Sequence, residues 1–347
     1  MDEETPESGS RFAAVTMKDD AVYAVGSVGA GAGEKATVTK LTVGGTRNWR
    51  YELPQAQRVG RAVGVLYGGI HVAGEATFDT EFSSSSDLFL MVLPDGVQAP
   101  GGPPVLTEYS SVGADHALGI LPTLDGTFIL RATEAAQGGT DLVLESRMAN
   151  GAGTPPVVLL EAEAGGESTF LAGRLVNASE IAVAGVRSGT TGTTGMVAYA
   201  RGDDGLWTTP WKAALLASTG DVKATSACVR GTVTYVAGTT TASLAGGPIH
   251  GGGVDAFVAA YTQEGARSWV VVTGAAGDEA AANDRPSVVA CSDGVILVTT
   301  TTGQVERERL PVGVERALLV MKWGVDGGLQ WTRVHEVGWS PRVAAAD

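Results

Sequence analysis

Apolar runs of about five to eight residues recur along the whole chain, broken about every 8 to 12 positions by Gly, Asp-Gly or Asn-Gly. No 3.6-residue period lasts beyond one turn, and small and β-branched residues dominate the runs. The pattern predicts short strands joined by tight turns. One run is repeated: Val22-Tyr23-Ala24-Val25-Gly26-Ser27 returns as Ile70-His71-Val72-Ala73-Gly74-Glu75, as Ile181-Ala182-Val183-Ala184-Gly185-Val186 and as Thr234-Tyr235-Val236-Ala237-Gly238-Thr239. Two eroded copies, Phe128 to Thr133 and Val295 to Thr300, fill the gaps with Ala132 and Thr299 in the Gly position. The spacing is about 50 to 60 residues, which makes six units.

Each unit carries four runs. In the fifth they are Ala224 to Val229, Val233 to Thr239, Asp255 to Tyr261 and Arg267 to Val272. Asp95-Gly96, Asn150-Gly151, Asp204-Gly205 and Asp326-Gly327 mark the turn between the third and fourth runs, where tight hairpins demand positive φ. The fourth run usually brings a Trp: Trp49, Trp207 or Trp211, Trp269 and Trp331. First runs are slim, as in Ala13-Ala14-Val15, Ala62-Val63-Gly64-Val65 and Ser226-Ala227. Six consecutive four-stranded meanders fit an all-β, six-bladed β-propeller, whose sheets bury their faces only against neighbouring blades. Slim first strands suit the crowded axis, and the Trp suits the widening wedge outside. Gly26, Gly74, Gly185, Gly238, Trp49, Trp269 and Trp331 are therefore expected to be structural. Two sandwiches of three units each would use the same strands without explaining one motif in register six times.

The expected organisation is an acidic flexible tail over 1–10 and one propeller domain over 11–347, with blades near 11–57, 58–112, 113–165, 166–219, 220–276 and 277–347. Arg11 to Thr16 and Arg342 to Ala346 both read as first strands, one more than a ring of six needs. Either one is displaced to an edge or a seventh blade follows; in a ring of six the last blade is expected to dock on the first.

Units five and six carry Gly277-Asp278-Glu279-Ala280, Tyr235-Val236-Ala237-Gly238-Thr239 followed by Gly253-Val254-Asp255-Ala256-Phe257-Val258, and Gly265-Ala266-Arg267-Ser268-Trp269. These stretches resemble the SBBP repeats, a bacterial β-propeller repeat family. The likeness is good in units five and six, moderate in one and four, and weak in two and three. It implies a propeller, commonly on extracytoplasmic proteins, with no shared catalytic residues.

Composition narrows the function. The 347 residues include 49 Gly and two Cys, with 24 basic against 38 acidic side chains and a net charge of −14. This balance repels phosphate backbones, and no basic stripe offsets it, so nucleic acid is not an expected partner. No apolar run approaches the roughly 20 residues of a membrane-spanning helix, so membrane insertion is not expected. The first ten residues are acidic and polar, unlike a leader.

Candidate chemistry is sparse. Asp115, Asp221 and Asp278, with Glu167, fall in loops between units and by repeat symmetry on one rim. They read first as turn caps and second as weak oxygen ligands for calcium. Asp87, Asp141 and Asp255 open third strands and read as caps. His71, His116, His250 and His335 form no metal-binding pair and read as surface or strand-tip side chains. No nucleophile elbow is present, and Gly29 to Gly33 precedes a strand, so no helix N-terminus is available for phosphate. Cys228 and Cys291 share one slot in adjacent units. Two buried thiols are the first expectation, with Cα atoms about 7 to 10 Å apart, and a disulfide the second. Asn177-Ala178-Ser179 fits a glycosylation acceptor and Arg201-Gly202-Asp203 an adhesion tripeptide, but turn chemistry explains both. The leading expectation is a noncatalytic scaffold whose loop-lined face binds a protein, without a cofactor. The alternatives are a carbohydrate-active or hydrolytic propeller using rim carboxylates and a calcium-stabilised surface adhesin.

Overall fold

Small residues and tight turns fold the runs back on themselves as meanders, and all six sheets are four-stranded, antiparallel and in sequence order. The computed structural model describes residues 11–43, 46–66, 68–79, 84–96, 99–109, 114–123, 126–135, 139–147, 156–161, 167–177, 179–189, 192–203, 206–215, 220–241, 243–244, 253–274, 287–291, 294–303, 310 and 317–335. Sheet one comprises β1 (Arg11–Lys18), β2 (Ala21–Val28), β3 (Lys35–Thr42) and β4 (Arg47–Glu52). Sheet two follows with β5 (Arg58–Leu66), β6 (Gly69–Asp79), β7 (Ser84–Pro94) and β8 (Val105–Tyr109), and sheet three with β9 (Asp115–Thr123), β10 (Gly126–Glu134), β11 (Thr140–Arg147) and β12 (Val157–Leu160). Sheet four holds β13 (Glu167–Asn177), β14 (Glu180–Gly189), β15 (Gly192–Asp203) and β16 (Leu206–Leu215). Sheet five holds β17 (Val222–Arg230), β18 (Val233–Thr240), β19 (Asp255–Tyr261) and β20 (Arg267–Thr273), and sheet six β21 (Ser287–Cys291), β22 (Val295–Thr301), β23 (Ala317–Trp323) and β24 (Leu329–His335). These are the six blades of a β-propeller. The tail over 1–10 and the first-strand reading of Arg342 to Ala346 lie outside the described residues.

The chain divides into two compact units, one over Met1–Ala136 and Thr140–Glu161, the other over Ala162–Ala346. Sheets one to three belong to the first, sheets four to six to the second. Each unit contains two seams between successive sheets. Tyr23 and Val25 meet Ile70, Val72, Phe89 and Met91 in the first seam, while Ala73, Leu88 and Leu90 meet Ala117 and Ile129 in the second. In the other unit Tyr199 and Trp211 meet Phe257 and Tyr261, and Tyr235 and Val258 meet Leu297, Met321 and Trp323.

A β-bulge on the first strand explains the repeated Gly. The register slips between Phe12 and Ala14, Gly60 and Ala62, Phe170 and Ala172, and Ala224 and Ser226, opposite Gly26, Gly74, Gly185 and Gly238 respectively. The strand carbonyl beside each bulge lies over the glycine: a Cβ would come within 1.9 Å of Arg11 O at Gly26, 2.3 Å of Val59 O at Gly74, 2.6 Å of Thr169 O at Gly185 and 1.8 Å of Lys223 O at Gly238. In sheet three the bulge pairs Arg131 with Ala117 and Leu130 with Gly119. The residue in the Gly slot is therefore Arg131, one position before the Ala132 that the repeated run places there.

The register also identifies the repeated Trp. Trp49, Trp211, Trp269 and Trp331 lie opposite Lys40, Tyr199, Ala260 and Lys322, each beside a bulge in the outer strand pair. Trp211 rather than Trp207 is thus the fourth-sheet equivalent. Three of these rings latch onto the next hairpin. Trp49 Nε1 donates to Gly96 O (2.9 Å) and Trp269 Nε1 to Val325 O (3.0 Å). Trp211 lies against Gly265, where a Cβ would be 2.6 Å from its ring, and Trp269 likewise closes on Gly327 at 2.9 Å; both glycines have positive φ. In the first seam Lys40 Nζ (2.9 Å) and Tyr23 OH (2.6 Å) also donate to the Asp95 carboxylate of that hairpin. Trp49→Phe removes one donor while Lys40 still serves Gly96 O, so urea denaturation should show a loss of about 1 kcal/mol in stability.

Candidate functional site

The second seam closes differently. Its outer strand β8 reads Val-Leu-Thr-Glu-Tyr and supplies no Trp. Ionised side chains fill the seam instead. On β5 and β6, Arg61 Nη2 donates to Glu75 Oε2 at 2.9 Å, while His116 Nδ1 of β9 lies 3.2 Å from Glu75 Oε1. Arg131, in the slot kept for Gly elsewhere, pairs through Nη1 with Asp115 and through Nε with Glu145 Oε2 at 3.1 Å. Arg147 pairs with the other Glu145 oxygen, and its guanidinium sits 4.5 Å from the centre of the Tyr109 ring. Asp115 is 1% exposed and Glu145 2%. Carboxylates so deeply buried persist only when paired and hydrogen-bonded, and three arginines balance three carboxylates here.

Two imidazoles share this seam and are shifted in opposite directions. His71 Nδ1 lies 2.7 Å from Thr127 Oγ1 of β10, and burial pushes the imidazole down to about 4. His116 is held above the ordinary histidine range by its hydrogen bond to Glu75, which outweighs burial. Burial acts to raise the Glu75 carboxyl, but His116 and Arg61 together hold it below the usual carboxylate range. His71 is thus a largely buried seam residue and not the surface histidine expected; it stands in the register of Tyr23 and Tyr235. His116 and Glu75 have the arrangement of an imidazole oriented by a carboxylate, but no hydroxyl or thiol among the described residues bonds to His116.

The remaining expected residues are dispersed. Asp221 Oδ1 accepts the Thr193 N–H at 2.8 Å, and its backbone exchanges hydrogen bonds with Thr241. This joins the start of β15 to the approach to β17. Asp115 serves Arg131, and Asp278 and His250 lie outside the described residues. Asp87 lies inside β7, three residues past its start, because that strand begins at Ser84, while Asp255 opens β19. Among the described residues no group of three or more His, Cys, Asp and Glu side chains is disposed to hold a metal ion. Residue-by-residue reading passed over Arg61, Glu75, Arg131, Glu145 and Arg147. The available signal was a charge in a strand slot that other units fill with uncharged residues, as Ser27, Val186 and Thr239 stand in the slot of Glu75.

Cys228 and Cys291 are bonded, with Cα atoms 6.0 Å apart, and no free cysteine accompanies them. The expectation of two thiols fails because Cys228 lies on the face of β17 turned to sheet six, where β17 packs directly on β21 and Cys291 meets it. The pair links the first strands of sheets five and six.

No protein-family model and no curated protein matches the chain. Among solved structures it is similar to a prolyl endopeptidase studied for inter-domain dynamics in catalysis and specificity, with 11% identity and a TM-score of 0.50 over 94% of this chain. The chain spans 41% of that protein's length. It is also similar to a thermostable family-43 glycoside hydrolase (9% identity, TM-score 0.44, 77% of this chain and 94% of that one) and to a quinohemoprotein alcohol dehydrogenase from Pseudomonas putida (9%, 0.47, 95% and 59%). At these identities the likeness concerns the fold alone.

Proposed function

We propose that the chain is a noncatalytic propeller module of the SBBP-repeat kind that presents its connecting loops to a protein partner. The observation that supports this reading is how the charged side chains are used. Asp95, Asp115, Asp221, Glu75 and Glu145 are each held by the protein's own lysine, arginine, histidine, tyrosine or backbone donors, so they brace strands and hairpins. Function then resides in the connections, which tolerate variation on a rigid scaffold. The disulfide suits an oxidising, extracytoplasmic setting.

Crosslinking under native conditions followed by affinity isolation should recover a stoichiometric partner; a chain that stays alone would overturn the reading. Activity on glycan or peptide substrates that disappears in Asp115→Asn or Asp221→Asn would favour a hydrolytic propeller. Because the Asp221 carboxylate accepts the Thr193 N–H, EDTA should leave the melting temperature unchanged within about 1 °C. A fall of several degrees would instead indicate a bound cation.

A further inference from the structure

Three of the four seams within the two units are latched by a Trp on the following hairpin, and the seam between sheets two and three is not. Its ends differ in kind. At one end His71 reaches Thr127, and Gly64 lies so close to Pro122 that a Cβ would come 2.6 Å from the proline ring. At the other end Glu75 joins Arg61 and His116. We propose that this seam is an acid-operated hinge: protonation of His71 parts β6 from β10 at the Thr127 end, while the Arg61, Glu75 and His116 clamp keeps the opposite end closed.

The distribution of charge supports this direction of opening. Arg147 of β11 lies across from Thr127 in the register and is itself paired with Glu145 and set over the Tyr109 ring, so the charges at that end are balanced before an imidazolium is added. Asp95, just past the end of β7, is already held by Lys40 and Tyr23. Arg58 and Arg61 of β5, Glu75 of β6, Asp87 of β7, Asp115 and His116 of β9, and Arg131 and Glu134 of β10 all lie toward the clamped end of their strands. Glu145 of β11 is taken by Arg131 and Arg147, so among the described residues the carboxylates of the closed seam already have partners when His71 gains a proton. Water is its better environment.

The two histidines respond to pH with opposite sign. Burial depresses His71 to about 4, so its contribution to closure is full above about 6.5 and is lost as pH falls toward 4. His116 is raised by Glu75, so its contribution is full below about 6.5 and is lost as pH rises through its elevated value. Acidification thus loosens one end and retains the other. This property concerns the scaffold itself and does not depend on the identity of any partner.

Hydrogen exchange read by mass spectrometry at pH 7.5 and 5.0, corrected for intrinsic rates, tests the hinge. The opening constant of the seam should rise about thirtyfold at pH 5.0, the ratio set by an open-state value near 6.5 and a closed-state value near 4. Protection should fall by that factor at Ile70 to Val72 and Thr127 to Ile129, with β17 to β19 unchanged. His71→Tyr, which restores the residue used in sheets one and five, should abolish the acid response, and His71→Gln provides a second non-titrating variant. Equal loss of protection across β17 to β19, no loss in the seam, or an acid response that survives in both variants would overturn the proposal.

Discussion

Replacing Cys228 and Cys291 together by Ser should lower the melting temperature of the second unit by about 10 °C, the largest single effect expected in the chain. The bond closes a loop of 63 residues in sequence. In the chain-entropy account, releasing a loop of that size frees about 4 kcal/mol of denatured-state entropy, and a unit of this size converts each kcal/mol into about 2 to 4 °C. Two observations raise the sensitivity. The bond joins β17 to β21, and the adjoining core of Tyr235, Val258, Leu297, Met321 and Trp323 draws on both sheets, so a loosened sheet six uncovers apolar surface from each. Moreover, β21 is only five residues long and offers few ladder bonds with which to hold its place. Calorimetry in the presence and absence of a dithiol reductant should reproduce the same shift in the wild-type protein. A double variant that melts within about 2 °C of wild type would show that the apolar packing alone carries the seam between sheets five and six, since the expected entropic contribution is several-fold larger.

The six meanders were legible because their signals are local. Asp-Gly and Asn-Gly turns, slim first runs and Trp in the fourth run lie within about ten residues of the structure they specify. Features that depend on how strands face one another were not. A bulge shifts pairing by one residue, so matching Ala132 to Gly by size missed Arg131, whose length is what the third sheet uses. Slot equivalence likewise overstated the Cys228 to Cys291 separation, which is 6.0 Å between Cα atoms, because strand spacing between neighbouring sheets is not written in either strand alone. His71 read as a surface group since a lone His in a strand carries no mark of what covers it. Comparison by register rather than by residue type brings these out together: the slot of Tyr23 and Tyr235 holds His71, and the slot of Gly26, Gly74, Gly185 and Gly238 holds Arg131. Both exceptions face the seam between sheets two and three, where no Trp latch stands among the described residues. The polar network there replaces an aromatic closure, and paired charges held in a seam constrain geometry more than they add net stability.

Gly238→Ala should cost about 3 kcal/mol, although it adds a single methyl group to a strand with ordinary backbone angles. The new Cβ would lie 1.8 Å from Lys223 O, with Phe257 Cε1 at 2.8 Å. Neither obstacle is the free end of a flexible chain. Lys223 O belongs to β17 beside its bulge, and Phe257 is a fully buried ring in the core shared with sheet four. Relief requires either flattening the bulge, which would shift the register of β17 and with it Cys228, or displacing a core aromatic; overpacking of this kind sits at the upper end of its usual range. Gly26→Ala meets Arg11 O at a similar 1.9 Å, but Arg11 is the first residue of β1 and can swing away with the strand end. Its expected cost is about 1 kcal/mol, within the range for a modest steric insertion. Gly33→Ala, with nothing within 4 Å, should be neutral within about 0.5 kcal/mol. Urea denaturation of the three variants should therefore rank them 238, 26, 33. A different order would mean that the glycine at the bulge serves chain flexibility and not the close approach of the neighbouring carbonyl, because flexibility would penalise all three alike.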